Sequence, residues 1–161
     1  MDAVISSLDK KYKLCDTQIK DSEIILYISS VQKSIFCPYC KSETNKIHSY
    51  HIRKIQDLPI CNRKTVLMVT TRKMKCINPD CSHKFFSEQH TFAEANAQKT
   101  NRLIERILKT SSEVSSVCSS RLLKNEGIAV GKSSICMLLK KKLQYLWINQ
   151  KFSESVLMIL L

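Results

Sequence analysis

The amino-acid sequence predicts an α+β chain with strands first and helices last, and three observations carry that expectation. Residues 12–19 and 23–31 are strand-like runs on either side of the turn signal Lys20-Asp21-Ser22, as in a strand pair. Two short-spaced cysteine pairs, Cys37/Cys40 and Cys76/Cys81, bracket two more stretches of strand pattern. After residue 97 the apolar spacing changes to i, i+1, i+4, i+5, which follows the turn of a helix. At 161 residues and 18.5 kDa the chain has room for one ordinary domain or two to three small ones, and a large multidomain enzyme is excluded.

The first segment, residues 1–36, reads as a β-hairpin region. Ile24, Leu26 and Ile28 alternate with Ile25, Tyr27 and Ser29, so one face or both can be buried. Cys15 has no cysteine or histidine at ligand spacing and reads as a buried structural thiol.

The second segment, residues 37–90, holds the metal-ligand pattern. Cys37-Pro38-Tyr39-Cys40 is a C-x-x-C, and Cys76-Ile77-Asn78-Pro79-Asp80-Cys81 is a second pair, so the two knuckles offer four thiolates. Zinc favours four tetrahedral ligands, and thiolates at short spacing let the N–H groups of each turn point at the sulfurs. Pro38 and Pro79 fix φ within the knuckles. Residues 48–56 and 64–75 read as the strands between them, the second with Val66, Met68 and Thr70 on one face and Leu67, Val69 and Thr71 on the other. The sum is a zinc-ribbon pattern with structural Zn2+. So small a unit cannot bury enough apolar surface to fold securely, and structural zinc supplies on the order of 10 kcal/mol.

Four thiolates close the coordination shell and leave no position for a catalytic water. The competing reading, a redox C-x-x-C beside two unrelated cysteines, lacks a surrounding thioredoxin-like βαβ pattern. His48, His51 and His83 lie close by and are expected to face solvent or form hydrogen bonds; Cys61, in the 59–62 turn, stands alone.

The third segment, residues 97–146, is helical by pattern. Thr100-Asn101 opens a helix carrying Leu103, Ile104, Ile107 and Leu108. A second fits residues 114–125, with Val114, Val117, Cys118, Leu122 and Leu123 on its buried side and Gly127 as the left-handed residue after it. A third fits residues 132–142, with Ile135, Leu138 and Leu139 inward. Read as a helix-turn-helix, the last helix would enter the major groove, with Lys132, Ser133, Ser134 and Met137 at base edges. Arg121, Lys124, Lys140 and Lys141 would take phosphates, as would Lys142. The full expectation is therefore α+β: a small N-terminal β-hairpin and zinc ribbon followed by an all-α helix-turn-helix domain.

Charge points the same way. The formal net charge is +12, distributed as zero over residues 1–36, +5 over 37–96 and +7 over 97–161. Such an excess favours a polyanion, with nucleic acid ahead of an acidic membrane surface. With only two glycines, neither in a phosphate-loop pattern, nucleotide-dependent chemistry is not expected. No signal-peptide pattern opens the chain, and the longest apolar run, residues 156–161, is far short of the roughly 20 residues of a membrane span. The expected location is cytoplasmic, with no membrane partner.

CPYC, the segment Ile55-Gln56-Asp57-Leu58-Pro59, the 76–81 knuckle with Phe85, Phe86 and Glu88 behind it, and the helical pattern that follows form an ordered set. In that set the chain resembles the N-terminal part of bacterial insertion-sequence transposases of the ISL-three type, over roughly residues 12–146. The resemblance implies double-stranded DNA as partner, namely the terminal inverted repeats of a mobile element, held for a C-terminal RNase H-like domain. It leaves a homodimer, or association with a full-length transposase, open. In that family's catalytic domain three acidic residues bind the metals for strand transfer. Here Glu154 is the only acid after Trp147, and no catalytic carboxylate carries over to any position. Residues 147–161 are accordingly expected to be a truncated start of the catalytic domain, with the run 156–161 as a severed strand and the chain no enzyme by itself. A zinc-ribbon and helix-turn-helix transcriptional regulator is the alternative, and a module for an acidic protein partner is a third reading.

Overall fold

Alternation of apolar residues builds a sheet whose strands come from both early segments. The computed structural model describes residues 2–159, with side chains through residue 145. The elements are α1 (Asp2–Leu8), β1 (Tyr12–Ile19), β2 (Glu23–Ser30), β3 (Ile35–Phe36), β4 (Glu43–Thr44), β5 (Ile47–Ile60), β6 (Arg63–Lys75), β7 (Phe85–Ser87), α2 (Asn101–Glu113), α3 (Ser116–Asn125) and α4 (Lys132–Ile159). The chain divides into two compact units, Met1–Leu103 and Ile104–Leu161.

In the first unit the main sheet runs β1-β2-β6-β5, with β7 also on β6. β1 and β2 form the expected antiparallel hairpin, with a bulge at Cys15 that leaves this thiol exposed instead of buried. β5 and β6 form a second, longer hairpin, closed by Cys61 and Asn62, both at positive φ (51° and 57°), as a two-residue primed turn requires. The two hairpins join through a parallel β2–β6 pairing that sets Leu26 beside Leu67 and Ile28 beside Val69. On this face Ile24, Leu26, Ile28, Ile55, Leu67 and Val69 bury themselves with Ile5 of α1, Tyr12, Phe92 and Ala93. Helix α1, for which the sequence reading made no provision, exists because Ile5 has this core to enter.

The expected fold class is thereby corrected. Hairpin and ribbon do not stand as successive small units, because burying both apolar strand sets on one face demands a single mixed five-stranded sheet. The expected all-α helix-turn-helix domain is not shown either, because the division between the two units falls inside the first helix of the helical segment. Helix α2 starts inside the first unit, where Thr100 caps it by accepting from the Leu103 N–H at 3.3 Å and Gln56 and Thr100 share a backbone hydrogen bond of 2.9 Å.

In the second unit Ile107, Leu108, Leu123, Ile128, Val130 and Ile135 are buried. Ser115 caps α3, accepting from the Cys118 N–H, and Gly127 takes the left-handed turn at φ 81°. The expected buried side of α3 is corrected: Leu123 and Ser119 are buried, whereas Val114, Val117, Cys118 and Leu122 are exposed. Helix α4 does not stop near residue 142 but continues to Ile159, so the backbone of residues 156–159 is helical where a severed strand was expected. The rest of that run, and the side chains of the expected truncated segment 147–161, lie outside the described residues. Among the described residues no helix is long and apolar enough to cross a membrane.

Candidate metal centre

Each cysteine knuckle is the tip of a β-hairpin. β3 and β4 pair Ile35 with Thr44 and Phe36 with Glu43, leaving Cys37 and Cys40 in the connecting turn. β6 and β7 pair Lys75 with Phe85 and Met74 with Phe86, leaving Cys76 and Cys81 in theirs. β7 occupies the edge of β6 that β2 uses farther back, since β5 fills the other edge. The hairpins are tied together by the Lys75 N–H to Lys46 O (2.9 Å) and Thr44 Oγ1 to Lys75 O (2.9 Å). Cys37, Met74, Cys76 and Phe86 form a small apolar cluster beneath them.

Backbone hydrogen bonds set the turns. The Cys37 N–H donates to Ser42 O and the Lys41 N–H to Cys37 O, both 2.9 Å, with Lys41 at φ 62°. The Cys76 N–H donates to Lys84 O (2.9 Å), and Asn78 accepts from the Asp80 N–H on its side chain (3.0 Å) and from the Cys81 N–H on its carbonyl (3.3 Å). All four sulfurs come within 4.8 Å of one another, with Cys37–Cys81 at 3.9 Å and Cys40–Cys76 at 3.5 Å. A tetrahedral shell with Zn–S near 2.3 Å places its sulfurs about 3.8 Å apart, whereas a disulfide needs about 2.05 Å. The donor set therefore fits structural zinc. Hydrogen bonds from Ser42 hold the Cys40 thiol down at about 6, while burial pushes Cys76 up to about 12.

The nearby histidines are not part of the cluster. His83 stacks on Tyr39 across the two knuckles, centroids 3.5 Å apart, and His48 meets the edge of Phe85 at 4.5 Å. His51 is exposed.

The structure also explains the other motif residues. Asp57 is buried and accepts from Thr100 Oγ1 (2.7 Å) and Arg102 Nε (2.8 Å), with a second contact from Arg102 Nη2, so the QDLP segment anchors the start of α2. Glu88 accepts from Arg72 Nε (3.0 Å) and Nη2 (2.6 Å), and Arg72 also donates to Gln32 O at 2.7 Å and Ser30 Oγ at 3.1 Å. That pair clamps β6 and the chain after β7 to the end of β2. Arg72 in turn holds the Glu88 carboxyl below its usual range against the opposing effect of burial.

His90, which sequence reading passed over, is buried between Tyr12 and Thr71. Tyr12 Oη lies 2.6 Å from Nδ1, and Thr71 Oγ1, which donates to Val69 O, lies 2.9 Å from Nε2. The network assigns the neutral Nε2–H tautomer, with the Tyr12 hydroxyl donating. Burial, helped by Arg53, lowers the imidazole to about 4. Nothing in the residue's local sequence announces this; the signal lies in pairing across the sheet.

The expected DNA contacts fall on α3 and α4. Arg121, Lys124, Lys132, Ser133, Ser134, Met137, Lys140 and Lys141 are all exposed, which suits a nucleic-acid face and equally a solvated helix surface.

Residues 33–81 match the family described as the zinc-finger of transposase IS204/IS1001/IS1096/IS1165. No curated protein and no solved structure matches the chain. The matched stretch holds both knuckles, and the segment 33–81 is similar to the zinc ribbon of these transposases.

Proposed function

We propose that this chain is the DNA-binding portion of a transposase, that it binds the terminal inverted repeats of an insertion sequence, and that it contributes no catalytic residue to DNA transposition. The observation that carries the reading is the transposase zinc-finger match over residues 33–81, centred on a four-thiolate cluster in a chain of net charge +12. The ribbon's part is structural: with zinc bound it fixes two hairpin tips in a basic segment. In this reading Arg121, Lys124, Lys140 and Lys141 neutralise phosphates. Lys132, Ser133, Ser134 and Met137, on the first turns of α4, meet base edges. Lysine can donate to guanine acceptors, serine is an unselective donor, and the methionine supplies apolar contact.

The test is fluorescence anisotropy with a duplex carrying any inverted-repeat sequence found in the DNA flanking the gene, against a scrambled duplex of equal length, from 50 to 300 mM salt. The expected result is tighter binding to the element ends and a log–log salt slope of about −0.9 per phosphate contact. Lys132→Ala should narrow the difference between the two duplexes, and Arg121→Ala should weaken both. Binding with no salt dependence refutes the reading. Equal affinity for both duplexes removes the inverted repeats, and preference for an operator upstream of a host gene replaces the transposase role with a regulatory one.

A further inference from the structure

We propose that the less covered face of the main sheet carries a phosphodiester site for duplex DNA, formed by Lys54, Gln56, Lys64 and Lys99. It rests on the DNA-binding reading above and moves part of the contact from the helices to the strands. One sheet face is filled by the core around Leu26, Ile55 and Leu67. On the other face Val66 is buried, but Ile25, Tyr27, Met68 and Thr70 around it are only half-buried, and Tyr50, Ile52 and Lys54 are exposed.

Strand geometry gathers the four residues. Lys54 and Gln56 are two apart on β5 and so share a face, Gln56 lies opposite Val66, and Lys64 shares that face two residues before Val66. The returning chain lays Lys99 along the outer edge of β5, where the Gln56 N–H donates to Gln98 O at 2.8 Å and the Thr100 N–H to Gln56 O at 2.9 Å. Together with Val66 and Gln98 these residues line a cavity of about 270 Å³.

The lining has donors in excess and no acid. None of the three ammonium groups has a carboxylate partner among the described residues, and Glu23, in register with Lys64, is bridged by Lys20 at 3.6 Å. The Gln56 Nε2 is buried and makes no hydrogen bond. Three like charges around one cavity repel, and a buried donor without an acceptor loses its hydration without return. An anion rich in acceptor oxygens resolves both. Adjacent strands stand about 4.8 Å apart and lysine stems are long, so the group can span successive phosphates of one DNA strand.

The experiment compares the wild-type chain with Lys54→Gln/Lys64→Gln/Lys99→Gln and with a control of equal charge change, Lys10→Gln/Lys11→Gln/Lys33→Gln. All three, checked for zinc content, are titrated with a random-sequence 30-base-pair duplex between 50 and 300 mM salt. The expected result is a slope shallower by about 2.7 for the first triple, with affinity lower by about 500-fold at 0.1 M salt, and little change in the control. Should the triple variant fail to fold, each single substitution is expected to lower the slope by about 0.9. Gln56→Leu is expected to weaken binding severalfold while leaving stability equal or higher. A wild type that binds with a steep slope, matched by both triples, overturns this site and leaves the DNA-binding reading intact. A wild type that ignores this duplex overturns the site, and one that ignores the element ends as well overturns both.

Discussion

Acidification should expose the energetic cost of the buried imidazole. His90 is 7% exposed, so its charged form has little water to draw on, and its folded value lies at about 4 against 6.5 in the unfolded chain. A depressed folded value means that the contribution is fully present above 6.5 and is lost as pH falls through 4. The whole span corresponds to about 3 kcal/mol, of which about 2 kcal/mol is lost between pH 7 and pH 5. Urea unfolding at the two pH values, in wild type and in His90→Gln with zinc present, isolates this share. Thiolate protonation weakens zinc binding in both proteins, while only the wild type carries the imidazole. Wild type should therefore lose about 2 kcal/mol more than the variant over this range. Histidine NMR supplies a direct reading: one of the four imidazoles should stay neutral, as the Nε2–H tautomer, down to pH 5. Parallel stability losses in the two proteins, or titration of His90 near 6.5, would refute the reasoning.

Other consequences can be checked separately. Elemental analysis should find one zinc per chain, and Cys76→Ser should abolish retention and expose residues 33–46 and 76–87 to protease, since their apolar cluster is built around the ligands themselves. Asp57→Asn leaves the half-buried Arg102 guanidinium with a neutral partner and should cost about 2 kcal/mol in thermal unfolding, below the roughly 3–5 kcal/mol of a fully buried pair because Arg102 remains 31% exposed. Leu26→Ala, at a position with no solvent exposure, should cost about 3–5 kcal/mol by denaturant titration.

What the sequence determined was local. The spacing in CPYC and CINPDC named the four ligands, because a metal shell is written in residue type and short separation, and the structure brings those four sulfurs together. Alternation located β1 and β2 within a residue and most of β5 and β6, and Thr100-Asn101 marked the start of α2. The tertiary structure decided whatever depends on distant partners. Parallel pairing of β2 with β6 leaves no mark in either strand beyond general apolarity, so the merger of hairpin and ribbon into one sheet was not legible. The same blindness hid the clamps. Asp57 and Glu88 stand out as motif members, but only the fold shows that Arg102 and Arg72 are their partners. His90 acquires its depressed value solely because Tyr12 and Thr71 close around it from other strands. On α3 the periodicity selected a buried side that the fold largely exposes, since a short helix with apolar residues on more than one side takes its orientation from what it packs against.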